Sequence, residues 1–151
     1  MFDKTVKDLR PYEAATLVPE DGDVLVSARR FIDNPDLHHL CVVDEAGRLL
    51  GLINRKRLFT SIFSHQVAAD SRVSKLLTLH TAETTADIMF THILSVREND
   101  KVEQAIRAMI KHNIKEMPAL DEKGTVIGFL TILMLMREWL RGQEKTTIRD
   151  Q

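Results

Sequence analysis

One pattern of residues occurs twice along this 151-residue chain at a fixed spacing, and that repetition limits the available folds more than any compositional feature does. Gly47 and Gly51 recur 77 positions later as Gly124 and Gly128, and Asp44-Glu45 recurs as Asp121-Glu122. The same offset, without a gap, carries Asp23 to Asp100, Ala28 to Ala105, Arg30 to Arg107 and Leu58 to Leu135. It also sets Leu25, Ile32 and Leu37 against Val102, Met109 and Ile114, apolar for apolar. A chain written this way folds as two like halves, each too small to bury an adequate core alone, so the halves are expected to pack together.

The second copy reads more easily. After a short apolar stretch at 93–96, Asp100 precedes Val102, Ala105, Ile106, Met109 and Ile110, the three-and-four spacing of an amphipathic helix behind an acidic cap, ending near Asn113. Apolar runs at 117–120 and 126–130 flank Asp121-Glu122-Lys123-Gly124, a turn-rich tetrad that predicts a hairpin. A helix over 131–141 follows, with Gly142 placed to stop it. The first copy repeats the order: a strand at Leu17-Val18, a helix over 25–32, strands over 40–43 and 49–53, and a helix from Asn54 to about Phe63. Between the copies, 71–79 and 84–89 read as helical turns rather than a flexible tether. The boundaries that follow are a first repeat over 10–66, a helical connector over 67–85, a second repeat over 86–142 and a tail over 143–151.

Composition removes several classes of function. Lys and Arg number 21 against 22 Asp and Glu, so no overall positive field would hold a polyanion, and nucleic-acid binding is not expected. With 44% hydrophobic and 28% charged residues, the chain fits neither a disordered nor a fibrous protein. The longest nearly apolar run, 126–136, reaches about half of the roughly 20 residues that span a bilayer, and the first residues show no secretory signal. Cys41 is the lone cysteine and sits among apolar neighbours, which predicts a buried thiol and a cytoplasmic, reducing setting.

Few residues carry recognisable chemistry. Asn54 and Thr131 hold equivalent places between the second hairpin strand and a helix. A side-chain oxygen there can cap open backbone N–H groups, or line a cleft between the halves and touch a ligand's sugar or phosphate. Arg55, Lys56 and Arg57 make a basic first helical turn, against the preference of the helix dipole; either a bound anion or a carboxylate partner would resolve that mismatch. His38 and His39 are adjacent, and His65, His80, His92 and His112 are scattered without metal-ligand spacing, so no metal is expected. Cys41 lacks the surroundings that activate a nucleophile, and no phosphate loop or nucleophile elbow is present; a hydrolase is the least supported reading.

The decad 44–53 and the stretch Met117-Pro118-Ala119-Leu120-Asp121-Glu122-Lys123-Gly124-Thr125-Val126-Ile127-Gly128-Phe129-Leu130-Thr131, in their doubled order, resemble the CBS domain, which occurs in tandem as a Bateman module. The resemblance covers about residues 10–142 and implies an α+β fold of two β-α-β-β-α repeats, paired with pseudo-twofold symmetry through their small sheets. It further implies a regulatory module rather than an enzyme, with an adenine nucleotide or related adenosyl ligand (AMP, ATP or S-adenosylmethionine) in the cleft between repeats and no required cofactor. Signalling to an unknown effector protein through a homodimer is implied too; a ligand-free dimerisation or interaction module is the alternative.

By the same resemblance, Thr131 matches the hydroxyl that touches ligand, and Asn54 stands at that place in the first repeat. The acid three residues on, which reads the ribose hydroxyls in the family, is Met134 in one repeat and Arg57 in the other, where a phosphate partner is implied instead. Leu17, Val18, Ile93 and Leu94 at the turns into each repeat, with His39, Leu40, Cys41, Glu116, Met117 and Pro118 at the strand entrances, would form the adenine walls. The apolar stripes of the closing helices, Leu58, Phe59, Ile62 and Phe63 with Leu133, Leu135, Met136, Trp139 and Leu140, exceed what a small core needs and imply the homodimer surface.

Overall fold

The two hairpins close on the same device. In each, an aspartate at the turn accepts backbone N–H groups from two and four residues on: Asp44 Oδ1 from Ala46 (2.9 Å) and Arg48 (3.0 Å), Asp121 Oδ1 from Lys123 and Thr125 (both 2.9 Å). Gly47 (φ 80°) and Gly124 (φ 83°) supply the left-handed residue that lets the chain reverse. Around these turns the computed structural model, which describes residues 1, 3–67 and 84–150, forms two three-stranded sheets.

The first sheet takes β1 (Thr16–Pro19), β2 (His39–Val43) and β3 (Leu49–Asn54); the second takes β4 (Val96–Arg97), β5 (Glu116–Leu120) and β6 (Val126–Thr131). In both, the first pair is parallel, the hairpin pair is antiparallel, and the register shifts near the turn. The helices are α1 (Val24–Asp33), α2 (Arg55–Val67), the single turn α3 (Thr85–Ile88), α4 (Val102–His112) and α5 (Ile132–Arg149), with a 3-10 turn at Val6–Leu9. This is the α+β order that the duplication predicts. The expected turns at 71–79 lie outside the described residues.

Three local expectations need correction. Asp23 caps α1, its Oδ1 accepting from Leu25 at 2.8 Å, whereas the equivalent Asp100 does not cap α4. Asp100 accepts instead from the Arg97 amide at 2.8 Å and closes the turn out of β4, so Lys101 takes the cap position without a side-chain bond. The apolar stretch at 93–96 yields only the two-residue strand β4. Gly142 does not end α5, which continues to Arg149. A glycine inside an exposed helix weakens it by about 1 kcal/mol without breaking it; Asn113, at φ 52°, is the left-handed residue that does end α4.

The chain divides into two compact units that are interleaved in sequence. One comprises Thr16–Ile93; the other comprises Met1–Ala15 with Leu94–Gln151. The linear boundaries 10–66 and 86–142 cut differently, because each repeat's leading segment belongs to the compact unit of the other repeat. Phe90 exchanges two backbone hydrogen bonds with Leu52 (2.7 and 3.0 Å), and Glu13 does the same with Phe129 (2.8 and 3.1 Å). Glu13 and Phe90 are themselves 77 positions apart, as are Leu52 and Phe129, so the duplication extends into these segments. Each segment opens with a capping box, Thr5 with Asp8 and Thr84 with Asp87.

Two glycines permit this docking. A Cβ on Gly128 would lie 2.6 Å from Tyr12 Cβ and 2.7 Å from the Glu13 carbonyl; one on Gly51 would lie 2.4 Å from the Met89 sulfur and 2.7 Å from the Phe90 carbonyl. Each unit keeps its own core. Val18, Phe31, Leu40, Val42, Ile53, Leu58 and Ile88 form one; Val6, Leu9, Val102, Met109, Met117, Leu130, Met134 and Leu135 form much of the other.

Candidate functional site

Antiparallel register places His39 directly opposite Asn54 in the first sheet and Glu116 directly opposite Thr131 in the second. Side chains alternate along a strand, and cross-strand partners share a face. Leu40 and Ile53 point into the first core, so His39, Asn54, Cys41 and Leu52 lie on the other face of that sheet. By the same logic Glu116, Thr131, Pro118 and Phe129 lie opposite the face that Met117 and Leu130 give to the second core. Each repeat therefore presents a polar pair at the strand edge, backed on the same face by a buried Cys41 or Pro118.

In the first repeat this edge leads into the basic turn of α2. Asn54 Oδ1 accepts the Arg57 amide at 2.7 Å and caps the helix. Both arginines beside it donate to carbonyls: Arg55 to Leu37 (3.0 Å) and to Pro35, and Arg57 Nε to Ile88 at 2.7 Å. The Arg57 guanidinium also lies over the Phe90 ring, 4.7 Å from its centroid. These carbonyls and the ring offer partial negative charge to cations that the helix dipole disfavours; among the described residues no carboxylate pairs with Arg57, the bound anion being the other way to resolve the mismatch. Ile88 and Phe90 went unrecognised in the sequence; the signal for them was the 77-residue offset that pairs Phe90 with Glu13.

The second repeat carries no such cations at the corresponding turn. Thr131 is buried and its hydroxyl accepts the Met134 amide at 3.2 Å, capping α5. Met134, at the family's acid position, is a core side chain packed with Val6 and Leu9. Of the remaining wall residues, Leu40, Cys41, Val18, Met117 and Pro118 are buried, while Leu17 and Leu94 are exposed; Ile93 closes one compact unit and Leu94 opens the other. The structure thus gathers Leu17, Val18, His39, Leu40, Cys41, Asn54 and Arg57 in one unit, and Leu94, Glu116, Met117, Pro118, Thr131 and Met134 in the other.

Other features carry less chemistry. A concavity of about 490 Å³ at the second hairpin turn is lined by Lys7, Arg97 and Lys123 against Glu98, Asp100, Asp121 and Glu122, so neither sign of charge dominates it; Arg97 is bound to the Asp121 carbonyl at 2.8 Å. One of about 370 Å³ at the first turn brings Leu17 and Val18 beside Glu20, Asp44 and Glu45. Arg48 and the backbone it presents hold the Asp44 carboxyl below its usual range. Among the described residues no group of histidine, cysteine and carboxylate side chains could hold a metal, and no helix is long and apolar enough to cross a membrane.

Two small three-stranded sheets of like topology, duplicated hairpins and a polar residue at each strand-to-helix junction define the class. The CBS domain pattern matches residues 6–64 and 86–141, and the chain belongs to that family. It is 29% identical over 126 residues to homoserine O-acetyltransferase of Methanosphaera stadtmanae, covering 83% of this chain but 22% of that protein. The chain spans about a fifth of the length of the first curated relatives it matches. Among solved structures it is similar to CBSX2 in complex with AMP (TM-score 0.75, 22% identity, 93% of this chain and 98% of that one). It is also similar to the CBS domain pair of MJ0100 in complex with 5'-methylthioadenosine and S-adenosyl-L-methionine (TM-score 0.64, 24% identity, 93% and 98%).

Proposed function

We propose that this chain is a regulatory sensor, without catalysis of its own, that binds an adenine nucleotide or related adenosyl ligand at the strand edges of its repeats. The observation that carries this reading is the paired polar residues, His39 with Asn54 and Glu116 with Thr131, each beside a buried apolar wall and a helix start. Adenine needs an apolar slot with backbone groups at its rim, and a sugar or phosphate needs polar groups beyond it. The adenosyl ligands of CBSX2 and the MJ0100 pair support the same ligand class. In the first repeat Arg57 is the phosphate partner.

The signal passes through a homodimer. Phe59 and Phe63 on α2, with rings 4.9 Å apart, and Leu133, Met136, Trp139 and Leu140 on α5 stay exposed, whereas Leu58 and Leu135 of the same stripes are buried. Met136 and Trp139 border an apolar groove of about 290 Å³ with Ile106, Ile110 and Ile132. A ligand that binds one dimer arrangement more tightly shifts the population toward it. The second reading, an interaction module without ligand, draws on Met134 being a core residue and Arg57 being already engaged. Calorimetry with AMP, ATP, S-adenosylmethionine and NADH separates the two: saturable heat from an adenosyl compound supports the sensor, and none from any of the four supports the interaction module.

A further inference from the structure

The two strand edges carry opposite charge preferences. At the first, Arg57 starts α2 three residues after Asn54, and His39 faces Asn54 across the hairpin. At the second, the residue facing Thr131 is Glu116, and the first turn of α5, Ile132-Leu133-Met134, holds no charge. Directly opposed residues in an antiparallel pair bring their Cβ atoms within about 5 Å. A ligand group that touches the Thr131 hydroxyl therefore sits beside the Glu116 carboxylate. A phosphate there would meet a like charge at close range in a half-buried setting, and that repulsion weakens binding by about tenfold or more.

Resting on the ligand reading above, we infer that Glu116 is the specificity-determining residue of the second repeat, admitting an uncharged or cationic adenosyl group and rejecting a phosphorylated one. Its carboxylate also accepts hydrogen bonds from hydroxyl donors, a role that Met134, buried in the core, cannot fill. Glu116 has interactions within the protein, and glutamine preserves its shape and most of its hydrogen bonding while removing the charge.

The test is calorimetric titration of the whole chain and of Glu116→Gln with adenosine and with AMP, each repeated in the Arg57→Ala background to remove the phosphate partner of the first repeat, so that a gain in AMP affinity there reports on Glu116. With Arg57→Ala, adenosine binds at least about tenfold more tightly than AMP; adding Glu116→Gln raises AMP affinity about tenfold and leaves adenosine within about threefold. A gain in affinity cannot come from misfolding. Should AMP and adenosine bind alike with Glu116 present, or should Glu116→Gln leave their ratio unchanged, the inference is overturned while adenosyl binding stands. If neither compound binds the unaltered chain, the inference is overturned, and the ligand reading falls with it when ATP, S-adenosylmethionine and NADH are silent too.

Discussion

Replacing Gly128 by alanine tests how the leading segment of the chain docks on the second sheet. Gly128 has φ 149°, a conformation that residues with a Cβ rarely adopt, and holding alanine there costs about 1–3 kcal/mol. The new methyl would also lie 2.6 Å from Tyr12 Cβ and 2.7 Å from the Glu13 carbonyl, a backbone atom that moves only by breaking the paired bonds to Phe129. Overpacking of this kind adds about 1–3 kcal/mol. The expected loss is about 3 kcal/mol, a large part of the 5–15 kcal/mol typical of a folded protein. Gly124→Ala is the control, since its φ of 83° is also unfavourable but nothing lies within 4 Å of its Cβ; about 1–2 kcal/mol is expected. Urea unfolding followed by far-UV circular dichroism gives both numbers. If Gly128→Ala loses no more than Gly124→Ala, the close approach of Tyr12 and Glu13 is not what the glycine serves.

Other outcomes follow from the same geometry. Arg57→Ala removes the bond to Ile88 and the stacking on Phe90 and is expected to lower stability by about 1 kcal/mol in urea melts, with a larger loss pointing to a partner beyond those two. Thr131→Ala and Asn54→Ala each lose a helix cap, about 1 kcal/mol by thermal melting, and Thr131→Ala also weakens any adenosyl ligand bound at the second repeat. Hydrogen bonds from the Arg48 backbone to Asp44, and from the Lys4 ammonium to Glu138, hold these carboxyls below 3.8 and 4.5, their ordinary values. Their contribution to stability is present above those values and is lost as the pH falls through the lowered ones, so the urea midpoint is expected to hold near neutrality and to fall below about pH 4.5, less steeply in Glu138→Gln. Trp139→Asp is expected to convert the proposed homodimer to monomer in sedimentation velocity; an unaltered chain that already sediments as a monomer, or an unchanged sedimentation coefficient, would count against an α5 interface.

Elements with a strong local cause were legible in the sequence. Asp44 with Gly47 and Asp121 with Gly124 mark the hairpins because an Asx turn and a left-handed residue need those side chains there. The amphipathic spacing of Ala105 and Met109 marks α4 for a similar reason. What tertiary contacts decide was not legible. Nothing local tells that Asp100 turns back to Arg97 rather than capping α4, or that Gly128 is a glycine because Tyr12 passes over it. The strand edge itself was legible through Asn54 and Thr131, whose places follow from the repeat. The commitment of Arg57 to Ile88 and Phe90 depends on a segment thirty residues away that belongs to the other copy's leader.

Backbone amide spectra of the isotopically labelled chain, recorded while adenosine or AMP is added, test the central claim most directly. Saturable shifts at His39–Cys41 and Asn54–Arg57, or at Glu116–Pro118 and Thr131–Met134, are predicted, with the amides of the two hairpin turns little moved. Spectra that do not change with either compound, or shifts confined to the turns around Gly47 and Gly124, would contradict it.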